Sequence, residues 1–400
     1  MNNSTQKPPR VKPLKPRPDF PLFPHATRRW AKKVRGKLIY FGPWEDPDGA
    51  LALWNEQKDD LLAGRTPRRP DDDRATIRDL CESFLQSKKR LVEIEELSRR
   101  SFLDYKRTTD GIVDHFGKNR MLEDLRPDDF ERFRSHLAKR LGPTTLGNEI
   151  NRVRVVFKFG FDSDLIDRPV KFGTGFKRPP KRVLRLNRKK NGPRMFEAVE
   201  LRKIIDAADM QLKAMTLAAI NAGLGANDLA RLQKSHIDWK SGWLDFPRPK
   251  TGIDRRVHLW PETLKALKKA IEKRPKPKSK EHDDLVFITH HGNPWCRYTP
   301  EYQDNKGNTK GGVVIDGISR KFITLLKELG LHRPGLGLYA CRHTLETIGG
   351  EAKDQVALNA VMAHVDDSMA AEYREGISDA RLKAVTDHVR KWLYPRRKKG

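Results

Sequence analysis

Between residues 177 and 194 the chain reads KRPPKRVLRLNRKKNGPR, nine Lys/Arg with no acidic residue among them. Like charges at this density repel one another and the prolines break up regular structure, so the stretch is too charged and too Pro-rich to enter a core. It reads as a basic linker, set between residues 171 and 194. A chain of 400 residues divided there has to bury its apolar side chains in separate domains on either side.

Upstream, residues 75–170 keep a helical period. Ile77, Leu80, Cys81, Phe84 and Leu85 follow i, i+3, i+4, i+7 spacing, as do Leu146, Ile150, Val153 and Phe157, with Arg152, Arg154 and Lys158 on the remaining face. Pro127 and Pro143 stand where helices would begin, and a four-helix domain is expected. Before it, RRWAKKVRGKLIYFGPW alternates apolar and basic residues around Arg35-Gly36-Lys37, as a hairpin does. Ala50, Leu51, Trp54, Lys58, Leu61 and Leu62 then form a helical stripe that Gly64 ends. This makes a small module over residues 25–65, with Trp30, Trp44 and Trp54 as its core, and RTPRRPDDD reads as a linker after it. Residues 1–24, basic and Pro-rich, read as a disordered arm.

Downstream, residues 195–400 read as mixed α/β, mostly helical. Trp243, Phe246, Val257 and Leu259 flank a turn around Thr251-Gly252 and predict a strand pair. DDLVFITHHGNPW adds a strand-like apolar run, and YQDNKGNTKGG, residues 302–312, an exposed loop. Near the end, Leu382, Val385, Val389 and Trp392 share one helical face. That face can cap its own domain or dock on a neighbouring protomer, and docking is the reading preferred here. A loose basic tail, YPRRKKG, follows.

The charge points to the partner. Lys+Arg number 81 against 53 Asp+Glu, a net charge of +28, and self-repulsion of that size calls for a polyanion, nucleic acid first. The start, MNNSTQKPPRVKPLKPRPDF, has no apolar signal region, and no run reaches membrane-spanning length. Three scattered cysteines, Cys81, Cys296 and Cys341, suit a reducing cytoplasm, where a DNA-bound protein would sit with the nucleoid.

An enzyme that cuts DNA needs a metal held by carboxylates or a covalent nucleophile. Asp71, Asp72 and Asp73 fall in a linker and His290-His291 lacks ligand alternation, so no metal site is expected. YACRHTLETIG, residues 339–349, sets Arg342 and His343 at a loop-to-helix start, where a guanidinium and a helix N-terminus can hold a phosphate; a surface Arg beside a core His reads as well. Lys250, in PKTG, lies near a hairpin tip, able to reach a groove or simply solvated. In AHVDDSMAAEYREG, His364 precedes Tyr373 by nine positions. Helical spacing from Met369 and Ile377 alone would make Tyr373 a buried aromatic.

Taken in order, AINAGLGANDLARLQKSHID, then Lys250-Thr251-Gly252, then Tyr339-x-x-Arg342-His343-Thr344, then His364 and Tyr373, resemble the tyrosine recombinase (phage integrase) family over about residues 195–380. The four-helix region resembles that family's core-binding domain, and residues 25–65 its arm-type DNA-binding module. The fold class this implies is multidomain and mainly α: a small N-terminal sheet plus helix, a helical core-binding domain and a mixed α/β catalytic domain. The resemblance also implies site-specific strand exchange, as in integration or excision of a mobile element, without metal, ATP or other cofactor. Tyr373 would attack a phosphodiester to leave a 3′-phosphotyrosyl link. Arg342 would stabilise the transition state, Lys250 would protonate the leaving oxygen, His364 would hydrogen-bond the phosphate, and His343 would buttress the site. Double-stranded DNA is the implied partner, bound by a homotetramer, and an accessory DNA-bending protein is a further candidate partner. Arg152, Arg154, Lys158, Arg182, Arg255 and Arg256 are the candidate DNA contacts.

Two departures stand out. The family carries arginine after Gly-Leu in its first box, whereas Gly223-Leu224 is followed here by Gly225, with Asn227-Asp228-Leu229 and His236-Ile237-Asp238 in register beyond it. Losing one such donor typically costs on the order of 10²–10³ in rate. Either Arg255, Arg256 or Arg320, each read first as an ordinary phosphate contact, replaces it, or the chain is an impaired or inactive recombinase-like DNA binder. The second departure is Tyr339, where the family most often has His; a phenol still donates one hydrogen bond.

Overall fold

The computed structural model describes residues 12–64, 67, 74–303, 309–365 and 368–395. The start of the expected basic arm, most of the linker at 65–73 and the residues of the tail from 396 on lie outside them. The chain divides into two compact units, Met1–Asn187 and Arg188–Gly400.

In the first unit, β1 (Phe23–His25), β2 (Arg29–Val34) and β3 (Lys37–Pro43) form one antiparallel sheet. The β2–β3 turn holds Arg35 and Gly36 at φ 48° and 83°, the left-handed pair a two-residue hairpin requires. Helix α1 (Pro47–Leu62) starts where the Asp46 carboxylate accepts from the Gly49 amide, and Phe20, Leu22, Trp30, Phe41 and Trp54 close this small core.

Four helices follow: α2 (Ile77–Glu93), α3 (Arg99–Phe116), α4 (Pro127–Ala138) and α5 (Pro143–Asp162). A reciprocal cap between Thr76 and Asp79 starts α2, and proline stands first in α4 and α5, where its missing N–H costs nothing. Their apolar stripes meet in a core separate from the first, dominated by Phe84, Phe116, Phe130, Phe133, Phe157 and Phe176.

The expected linker is largely a helix, α6 (Lys181–Lys190), with no buried residue. The prolines sit just ahead of it and just after it, so nothing within VLRLN and its basic flanks breaks a helix. Charge excluded the segment from a core but not from helical structure.

The second unit begins with α7 (Ala198–Ala207), α8 (Met210–Ala222) and α9 (Ala226–Arg231). Apolar nearly all round, α8 is the central helix, with α10 (Pro261–Lys273) and α12 (Tyr339–Gly350) packed on it. The expected strand pair is β4 (Trp243–Asp245) with β5 (Arg256–His258), antiparallel with Leu244 opposite Val257. The run DDLVFITHH forms no strand: Val286, Phe287 and Ile288 are wholly buried, apolar because they cross the core rather than because they join a sheet. Residues 302–312 are not a plain loop either. β6 (Cys296–Thr299) pairs with β9 (Val313–Asp316) and β7 (Tyr302–Gln303) with β8 (Thr309–Lys310), and the tip at 304–308 lies outside the described residues. Then come α11 (Gly317–Glu328), α13 (Gln355–Met362), the short α14 (Met369–Glu372) and α15 (Asp379–Leu393).

Helix α15 corrects another expectation. Leu382, Val385, Val389 and Leu393 are buried in their own unit's core, and the Trp260 indole donates to the Thr386 carbonyl at 3.0 Å. Arg390 forks onto Glu262 at 2.8 and 2.9 Å. The apolar face is spent within the chain rather than offered to a neighbour.

Candidate active site

Helix α8 ends at Gly223, whose φ of 65° needs glycine and whose surroundings leave no room for a side chain: a Cβ would stand 3.0 Å from Met362 Sδ and 3.3 Å from Arg342 Nη1. Arg342, on α12 and 3% exposed, uses that close approach. Its Nη1 donates to the Gly223 carbonyl at 2.7 Å and its Nη2 to the Met362 carbonyl at the end of α13. Carbonyls at helix C-termini lack intrahelical partners and carry partial negative charge, so a buried cation is well placed there. Burial, reinforced by the neighbouring Arg248, pulls the Arg342 guanidinium down to about 10.

The chain leaves α13 through Ala363, a non-glycine residue in the left-handed region at φ 46°, and so turns His364 toward the same place. The Ala363 carbonyl accepts from Arg248 Nη1 at 3.4 Å, and the His364 amide donates to the Asn359 carbonyl at 2.9 Å. Burial and the Arg342 charge hold His364 below its ordinary value, leaving it neutral at neutral pH. Its Nδ1 stands 3.6 Å from Glu346 Oε2.

Gly225 caps α9, with its amide donating to Asp228 at 3.1 Å. Its φ of −84° is open to any residue, and a Cβ would meet only Tyr339 Cδ2 at 3.9 Å and the Asp228 carboxylate at 4.0 Å. The fold therefore does not demand glycine here. Tyr339, half exposed, opens α12 with its ring edge-on to His343 at 5.3 Å. His343 faces the basic Arg194 and Arg188 and, through burial first, is also held below its ordinary value.

Arg342, His364, Tyr339, Gly225 and Asp228 thus come together. Lys250 and Tyr373 stand apart, their side chains making no hydrogen bond or ion pair among the described residues. Lys250 is exposed on the turn that Arg248 and Ile253 close at 2.8 Å. Tyr373, directly after α14, is 80% exposed, which excludes the buried aromatic that its spacing suggested.

The expected DNA contacts are mostly engaged within the protein. Arg152 pairs with Glu149 and Asp104, Arg154 donates to the Phe176 carbonyl over the Phe172 ring, and Lys158 holds Asp162. Arg182 is exposed on α6 and Arg320 on α11. Arg256 lies over Trp243 and binds both Asp245 and Asp379. Arg255 departs furthest from a surface phosphate contact: its side chain is fully buried against Asp228, with Nη2 3.2 Å from the carboxylate. Strand alternation carried that signal, since Arg255 shares a face with buried Val257 and Leu259. The same rule places Arg248, which motif reading passed over, on the inward face of Leu244 and Phe246.

Residues 189–376 match the phage integrase family. No curated protein sequence matches the chain. In fold it is similar to the Tn1549 transposon integrase in complex with a circular intermediate DNA, at 14% identity and TM-score 0.55, covering 77% of this chain and 98% of that one. It is similar also to a lambda integrase dimer bound to a COC′ core site, at 15% identity and TM-score 0.53, covering 92% and 96%. A lambda integrase tetramer bound to a Holliday junction gives 15% and 0.54, covering 91% and 98%. At such identities the likeness is one of fold.

Proposed function

From its membership of the phage integrase family of tyrosine recombinases, to which this chain belongs, we infer that the protein carries out site-specific recombination of double-stranded DNA. The observation that carries this reading is the convergence of Arg342 and His364 on two helix ends, with Tyr373 exposed on the segment that leads out from His364. A guanidinium has five N–H donors, and the two spent on Gly223 and Met362 orient the fork while others remain for a phosphate.

In the proposed reaction the Tyr373 phenolic oxygen, exposed to solvent, gives up its proton to water and attacks the scissile phosphorus. The new O–P bond forms as the bond to the 5′ oxygen breaks. Lys250, on its exposed turn, gives the leaving oxygen its proton, while Arg342 and the neutral His364 donate to the non-bridging oxygens. The product is a 3′-phosphotyrosyl link with a free 5′-hydroxyl. Attack by the 5′-hydroxyl of a second strand reverses the step and completes exchange, so the phosphodiester energy is conserved. Exchange between two sites requires several copies on DNA, and a tetramer is proposed, as in the lambda integrase complex with a Holliday junction.

A second reading, a DNA-binding relative impaired in cleavage, is favoured by Gly225 alone. Covalent trapping decides between them. Nicked duplexes tiled from the DNA flanking its own gene are incubated with wild type and Tyr373→Phe and resolved on a denaturing gel. An adduct with wild type alone supports recombinase chemistry. Tight binding of both proteins with no adduct supports the second reading.

A further inference from the structure

One carboxylate oxygen joins two parts of the site. Asp228 Oδ2 accepts from the Gly225 amide at 3.1 Å and from Arg255 Nη2 at 3.2 Å, so the backbone of residue 225 and the Arg255 guanidinium meet on a single atom. The Arg255 side chain has 0% exposure, yet its Nε and Nη1 have no hydrogen-bond partner among the described residues. A buried guanidinium with two idle donors is a costly arrangement unless an acceptor completes it. Among the described residues none supplies such an acceptor, and the neighbouring Arg248 and Arg342 add positive charge. Arg248 and Arg255 both act on Arg342, and Asp228 is the carboxylate set against Arg255 and Arg342.

Three neighbouring guanidiniums, with one carboxylate offsetting two of them, make a site for an anion. The backbone at residue 225 would accept a side chain, but the chain carries none there, and a guanidinium arrives beside it from the strand that leads into β5. We propose that Arg255 is a catalytic residue, donating from one of these idle nitrogens to a non-bridging oxygen of the scissile phosphate beside Arg342, in the place that Gly225 leaves without a side chain. Arg342, only 3% exposed, is as enclosed as Arg255, so DNA entry uncovers both. Arg255 transfers no proton; it neutralises charge that builds on the phosphate oxygens during Tyr373 attack. The inference rests on the recombinase reading.

The test follows adduct formation on the same nicked duplexes, carrying either the natural phosphate or a neutral methylphosphonate at the scissile position. Arg255→Gln is expected to lose about 10²–10³-fold in adduct rate, measured with the duplex saturated by protein. Gly225→Arg added to Arg255→Gln is expected to recover much of that loss. The methylphosphonate is expected to narrow the gap between Arg255→Gln and wild type, because a neutral phosphate needs one fewer cation. A merely structural Arg255 would not respond to the charge of the substrate.

Wild-type rates in Arg255→Gln, or a loss that the methylphosphonate leaves untouched, overturn the proposal. Should Arg255→Gln fail to fold, Arg255→Lys keeps the ion pair to Asp228 but cannot present a two-pronged donor. It is then expected to lose at least about tenfold, and a wild-type rate overturns the proposal. No adduct from wild type itself defeats the recombinase reading and this inference together, whereas an adduct from wild type and Arg255→Gln alike defeats the inference only.

Discussion

Arg256 and Asp379 meet through two bonds, Nε to Oδ1 at 2.8 Å and Nη2 to Oδ2 at 2.9 Å, and so tie β5 to the first turn of α15. At the other end of the intervening segment, Arg248 holds the Ala363 carbonyl and Asn359 the His364 amide. The stretch that bears Tyr373 is therefore anchored at both ends to one unit.

Those anchors predict that Tyr373 serves the site of its own chain. Tyr373→Phe and Arg342→Ala, each inactive alone, are expected to give no adduct when mixed on the trapping duplex. Recovery of adduct in the mixture would show that the tyrosine reaches a second copy. Asp379→Ala is expected to leave the melting temperature close to wild type, since exposed ion pairs stabilise little. It should nonetheless slow adduct formation by loosening one anchor.

Acid should destabilise the protein before its carboxylates titrate. Burial is the first cause that holds His115, His236, His258, His343 and His364 below the ordinary value of 6.5. Between the folded and unfolded values the unfolded chain binds more protons. Stability is thus complete above about pH 6.5 and declines as pH falls toward the folded values. Melting curves between about pH 7.5 and 5.5 are expected to show this decline. His115→Gln and His258→Gln together should flatten it, and an unchanged slope would assign the loss to other groups.

Asn221 is the polar residue on which the centre of the second unit depends. Wholly buried on α8, it accepts from the Trp260 amide at 2.7 Å and donates to the His258 carbonyl at 3.1 Å. Asn221→Leu leaves both backbone groups buried without partners and is expected to cost about 2–4 kcal/mol. Urea unfolding followed by hydrogen exchange at α8 and β5 measures it.

In the four-helix region the corresponding residue is Asp129, 7% exposed, which accepts from Arg120, Arg132 and the Arg126 amide. Asp129→Ala strands the largely buried Arg120 and is expected to cost about 3–5 kcal/mol. Exchange should quicken across residues 77–162 and not across 188–395, because the two units bury separate cores.

What the sequence determined by itself were the features set by neighbours along the chain. The hairpin at Arg35-Gly36, the proline starts of α4 and α5 and the β4–β5 pair follow from dihedral preferences and from periods of two and 3.6 residues. The order of Arg342, His364 and Tyr373 was legible in the same way, as spaced motifs. Tertiary structure alone decided what each face covers. A period marks Leu382, Val385 and Val389 as apolar but does not say whose core receives them, and here it is their own unit's. The basic run at 177–194 announced its charge and not its helix, because repulsion opposes burial while leaving backbone hydrogen bonding intact. Alternation pointed Arg255 inward, yet only the fold brought Asp228 and Gly225 to meet it. Their juxtaposition depends on where the segment leading into β5 passes α9, a contact that no local pattern encodes.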